Sequence, residues 1–149
     1  MPSFNKGGGL KEPLGSNEYL RSTVGVKKES FTFSAASLPT ELIDGVVQKV
    51  LKPGETIAKI TSGAEAGKVG VFQAGATDGR QTLANIVGEN DTWLPWQLME
   101  SDREIAVTYD ADCVQAWCTE RDAAGARVPL SNTTADAMRG TKTLDIRFH

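Results

Sequence analysis

Residues 50–60 read VLKPGETIAKI. A short apolar run ends at Lys52-Pro53-Gly54-Glu55, and Ile57 then alternates with polar neighbours. Proline presets φ at the first central position of a turn, and glycine accepts a positive φ at the second. The stretch therefore predicts a type I or II turn between two antiparallel strands, and it assigns the surrounding chain to β structure.

The β signal extends on both sides. Phe31-Thr32-Phe33 alternates like the start of a strand, and LPTELIDGVVQKVL supplies Val46, Val47, Val50 and Leu51 leading into the turn. Downstream, GKVGVFQ (67–73) is a short apolar strand, followed by the small-residue turn cluster AGATDG. In IAVTYDADCVQAWC (105–118), two strand-like segments flank Asp110-Ala111-Asp112, which reads as a hairpin or bulged turn. NTTADAMRG reads as a short helix capped by Asn132 or Thr133 and stopped by Gly140. The terminal run then places Leu144, Ile146 and Phe148 on one face of a strand. The expected fold is mainly β: a small barrel or sandwich with one short helix, in which QLMESDR is the only other stretch suited to a helix.

Residues 1–40 read differently. Three consecutive glycines, three prolines and scattered apolar residues with no sustained period do not bury enough surface to fold alone. This predicts a long extended N-terminal arm (1–40) beside a β-rich domain (41–149). The first 30 residues carry a net charge of +2, which leaves −5 for the rest of a chain whose total is −3. That polarity suits docking on an acidic protein surface and is too weak to support nucleic-acid binding. No apolar run is long enough to span a bilayer, and the N-terminus lacks the apolar core of a secretory signal, so intracellular synthesis without a membrane partner is expected.

Catalytic chemistry finds little material. The single histidine is the last residue, His149, a poor place to hold a base in fixed geometry. Cys113 and Cys118 are five apart, which in a continuous strand puts them on opposite faces as buried free thiols. GAEAGKV (63–69) falls short of a phosphate loop by one residue between its glycines, and Val69 stands where a hydroxyl is needed. Asp110, Asp112, Glu89 and Asp91 do not continue into a calcium loop and read as solvated turn carboxylates. No catalytic, cofactor-binding or metal-binding residue is assigned, and the chain is not expected to be an enzyme. Trp93 and Trp96, three apart across Pro95, are candidate subunit-interface or core residues, with sugar stacking a weaker reading supported by nearby Asn90, Asp91 and Gln97.

The order of features in VLKPGETIAKITSGAEAGKVGVFQAGATDGRQTLANIV followed by VTYDADCVQAWC resembles the head decoration proteins of tailed bacteriophages. In that family an opening turn, a hairpin ending near Ser-Gly, an Asp-Gly turn and a late strand recur. The resemblance covers about residues 43 to 120 and rests on an order of turns. It implies a structural virion protein, commonly a homotrimer, assembled in the host cytoplasm. Such a protein binds the outer surface of the expanded capsid at local threefold positions and cements neighbouring subunits of the major capsid protein. It also implies that the N-terminal arm lies on the shell, with Phe4, Leu10, Leu14, Tyr19, Leu20, Val24 and Val26 as its apolar contacts. The rival class is a lipoyl or biotinyl carrier domain, whose half-barrel uses a phrase like VLKPGETIAKI, but neither Lys59 nor Lys68 lies in the frame such a lysine requires.

Overall fold

A computed structural model describes residues 18–141 and 143–149. The protein is mainly β, with ten strands and one short α-helix among the described residues. Five strands close into a barrel: β1 (Lys27–Phe33), β5 (Val69–Val71), β4 (Thr56–Lys59), β6 (Ile86–Asn90) and β7 (Arg103–Cys113) are neighbours in that order, and β7 returns to β1. All the barrel pairings are antiparallel except β1–β5, where a single parallel pair, Phe33 with Val69, completes the ring. Phe33, Ile57, Val69, Val71, Ile105 and Val107 fill it, and Leu38, Leu51, Leu94 and Leu98 extend the same core.

Strand β7 runs unbroken through Asp110-Ala111-Asp112, so the turn expected there is corrected. The alternation explains why. Ala111 points into a core, while Asp110 and Asp112 face outward onto Arg147, at 3.3 and 3.0 Å. β10 (Asp145–Phe148) pairs in parallel with residues 110–113 of β7. Asp110 and Thr108 each pair on both sides, so β10 takes over where β6 ends, along one edge of β7, while β1 runs along the other. β10 presents Ile146 and Phe148 to a second core, shared with Leu144, Leu130, Met138 and Ala135. The last two belong to or adjoin α1 (Asn132–Ala137), which is capped by Ser131, one residue earlier than expected: its Oγ accepts the Thr134 N–H. QLMESDR forms only a 3-10 turn, Gln97–Met99. Two small hairpins complete the chain, β2 (Glu41–Ile43) with β3 (Val46–Gln48) and β8 (Thr119–Arg121) with β9 (Arg127–Pro129).

The expected boundary at residue 40 is also corrected. β1 pairs with β7 over all seven of its residues, which makes it a wall of the barrel. Upstream of it, Leu20 bridges Cys113, and Val26 packs on the second core. Tyr19 is fully buried: its hydroxyl donates to Asp91 at 2.6 Å and lies 2.8 Å from the Thr108 hydroxyl. Tyr19, Leu20 and Val26 are therefore taken up by the chain's own body. Of the proposed arm contacts within the described residues only Val24 is left open, at 84% exposure. Phe4, Leu10 and Leu14 lie outside the described residues.

Candidate functional site

The Lys52–Glu55 turn forms as a type II turn, with Gly54 at φ +85° and the Glu55 N–H reaching the Lys52 carbonyl at 3.3 Å. It does not join paired strands, because β3 pairs only with β2 while β4 pairs with β5 and β6. Nor is it a surface tip. Residues 51–58 are all buried, and the Gly54 backbone is tied on both sides: its N–H donates to Asn90 O at 2.8 Å and its carbonyl accepts from Thr119 N at 2.9 Å.

What the turn delivers to the interior is Glu55. Its carboxylate is fully enclosed and accepts from Arg121 Nε at 3.0 Å, Arg127 Nη2 at 3.3 Å and the Lys52 N–H at 2.8 Å. Burial pushes this carboxyl up, but the two guanidinium groups outweigh that effect and hold it below the ordinary range. Both arginines, brought in by the β8–β9 hairpin, reach on to Glu41. Arg127 grips that carboxylate with two bonds of 3.1 and 2.8 Å, and Arg121 lies 3.4 Å away. The carbonyls of Val50 and Gly125 accept further bonds from the pair. A chain of two carboxylates and two guanidiniums thus fastens the base of β2 to the buried turn, with the forked geometry that only arginine supplies.

The element so fastened is unusual. The β2–β3 hairpin turns on Asp44 and Gly45, both at positive φ (49° and 79°), the type I′ geometry of a two-residue loop. It carries apolar residues on both faces. Leu42 and Val47 pair on one face, 71% and 52% exposed, and Ile43 and Val46 on the other, 38% and 54% exposed. Across from it stand Trp93 and Trp96, 43% and 49% exposed, with Pro95 between them. Hairpin and tryptophan loop enclose an open groove of about 690 Å³. The Leu51–Leu94 bridge, with bonds of 3.0 Å in both directions, joins the two walls beneath. The structure therefore brings Trp93 and Trp96 together on one surface and adds the hairpin, which the sequence reading did not single out.

The other sequence-derived candidates fall elsewhere. Asn90 is buried and spends its amide on the Lys52 and Thr92 carbonyls, Asp91 is held by Tyr19 and Lys28, and Gln97 accepts the Trp96 N–H. The polar partners that a sugar beside the tryptophans would use are thus already engaged. Lys68 donates to Glu65 and Asp102 at 2.7 and 2.6 Å, which anchors it away from the role of a carrier lysine. His149 is exposed, with Nε2 3.2 Å from Asp112. Cys113 and Cys118 do not diverge. The strand ends at Cys113, a 3-10 turn (Gln115–Trp117) reverses the chain, and both buried thiols lie in the second core, with Cys118 Sγ donating to the Val114 carbonyl at 3.5 Å.

Glu89 is likewise no turn carboxylate. It lies fully buried in β6, with Thr56 donating to Oε1 at 2.7 Å and Oε2 without a partner, and burial drives its pKa well above the ordinary 4.5. Because the folded value is raised, this group's contribution to stability is complete below about pH 4.5 and declines as pH rises toward the folded value. Glu89→Gln is expected to gain stability relative to wild type as pH goes from 5 to 9, measured as the difference in urea midpoints. Parallel pH profiles would contradict the assignment.

Among the described residues no three His, Cys, Asp or Glu side chains converge as a metal site, and no helix is long and apolar enough to cross a membrane. Comparison with protein-family models, with curated proteins and with solved structures finds no match.

Proposed function

We propose that the protein is a structural component of a tailed-phage virion. In this reading it binds the outer surface of the expanded capsid, as a trimer at local threefold positions, and cements neighbouring major capsid subunits. The observation that carries the reading is the hairpin: an apolar, two-faced element projecting beside two exposed tryptophans and stiffened from within by buried ion pairs. Such a surface is suited to standing contact with protein, and joining copies of this chain into the trimer is one such contact. The order of turns from Val50 onward supports the same reading. Several copies joined in one assembly would let weak contacts act together, with gains of about 10² or more over a single contact.

The arm enters this proposal with a shorter length. Deleting residues 1–30 removes Tyr19 and the first half of β1, so that variant is expected to lose its folded circular dichroism. Deleting residues 1–17 leaves every described barrel contact in place and is the proper test. The shortened protein is expected to stay folded and to sediment with expanded capsids of the cognate phage at least tenfold more weakly. Unchanged occupancy would remove the arm from the binding site, and failure of the full-length protein to sediment with capsids would overturn the proposal itself. A monomer on assembled capsids would end the trimer.

A further inference from the structure

We infer that the β2–β3 hairpin of one copy of this chain lies in the Trp93–Trp96 groove of a second copy. A hairpin that is apolar on both faces is not covered by its own body on both, and Leu42, Val46 and Val47 each remain more than half exposed. Its backbone is unfinished as well. With a two-residue turn, residues 43 and 46 form the hydrogen-bonded pair, so the N–H and C=O groups of Leu42 and Val47 point away from each other, to the two outer edges. β2 and β3 pair only with each other, so neither edge meets a further strand among the described residues.

By their fractional exposures, Leu42, Ile43, Val46, Val47, Trp93 and Trp96 leave on the order of 600 Å² of side chain open on each copy, at the upper end of the ~300–600 Å² of the largest apolar patch on a typical monomer and of the same order as the ~800 Å² that each partner gives a standard interface. Projection and recess lie side by side on the same surface, and both are apolar. Within Leu42–Val47 the only charged residue is Asp44, at the turn. One copy thus offers both halves of a contact, a narrow aliphatic hairpin and an aromatic-walled groove, which is the requirement for association between identical chains. Aromatic side chains at the groove and a clasp that removes hairpin freedom before docking lower the ordering cost of that contact.

The inference rests on the reading of this surface as an interface and is tested without capsids, so its failure leaves capsid binding to be judged separately. Two variants keep the core intact: Val46→Asp/Val47→Asp spoils the hairpin at two residues that do not line the groove, and Trp93→Ser/Trp96→Ser spoils the groove. Wild-type protein is expected to sediment as an oligomer at micromolar concentration. Each variant, folded by circular dichroism, should raise the concentration needed for association at least tenfold. When the hairpin variant carries an affinity tag, it should retain the untagged groove variant, since that mixture restores one intact hairpin and one intact groove, and it should not retain untagged copies of itself. A wild-type protein that stays monomeric, or retention indifferent to which surfaces are intact, would overturn the inference.

Discussion

Replacing Arg121 with methionine is expected to cost about 3–5 kcal/mol of stability, read as a lower urea midpoint at constant slope. Arg121 is 2% exposed and bonds to Glu55, Glu41, Gly125 O and Val50 O. Methionine fills much of the same space but leaves Glu55 enclosed with Arg127 as its only cationic partner. The penalty is that of a buried charge deprived of part of its neutralisation, so it should shrink when Glu55 is replaced as well. Arg121→Met/Glu55→Gln is expected to be more stable than Arg121→Met alone. The pH dependence has a definite sign. Glu55 titrates below its ordinary value in the folded protein, so its contribution is present above about pH 4.5 and is lost as pH falls. Arg121→Met should flatten the acid limb of the stability profile. An unchanged midpoint and acid limb would mean that the clasp contributes nothing net.

The second large effect is expected at Gly54. A Cβ built there would lie 2.8 Å from the Trp117 carbonyl oxygen and 3.0 Å from Tyr19 Cβ, at a φ of +85°. Gly54→Ala therefore combines backbone strain of about 1–2 kcal/mol with overpacking of about 1–3 kcal/mol. Gly63 supplies the control, because it has the same φ of +85° and nothing within 4 Å of its Cβ position. Gly63→Ala should lose only the strain, and the difference between the two variants isolates the closeness of Tyr19 and Trp117 to the turn. Equal losses at the two positions would contradict the buried placement of the turn.

Tyr19 also marks how far the sequence can be read. It stands in a stretch of glycines, prolines and charges with no period of 2 or 3.6, and what fixes it is a hydroxyl shared with Asp91 and Thr108, 72 and 89 residues away. Nothing local records such a partner. The same holds for Glu55, whose arginines lie 66 and 72 residues on. By contrast, the Val69–Val71 strand, the Leu144, Ile146 and Phe148 face and the type of the 52–55 turn are all legible, because alternation and turn chemistry are local. The hairpin was legible too. Asp44-Gly45 between Leu42-Ile43 and Val46-Val47 is the strongest short-range hairpin signal in the chain. Reading Val46 through Leu51 as one run into Lys52-Pro53-Gly54-Glu55 moves the reversal downstream to the wrong turn. The cysteine pair fails for a related reason: parity along a strand holds only while the strand lasts, and it ends at Cys113.

The central claim is that the buried turn exists to hold an apolar hairpin stiff for contact with another protein surface. Its most direct test is amide hydrogen exchange at residues 43 and 46, the pair that closes the hairpin, in wild-type protein and in Glu41→Ala, with the barrel amides of residues 57 and 107 as internal reference. Glu41→Ala releases the hairpin from Arg127 while leaving Glu55 with both its arginines. The account predicts that residues 43 and 46 are protected in the wild type and exchange at least tenfold faster in the variant, with the reference amides unchanged. Equal exchange in the two proteins would show that the clasp does not hold the hairpin and would contradict the account.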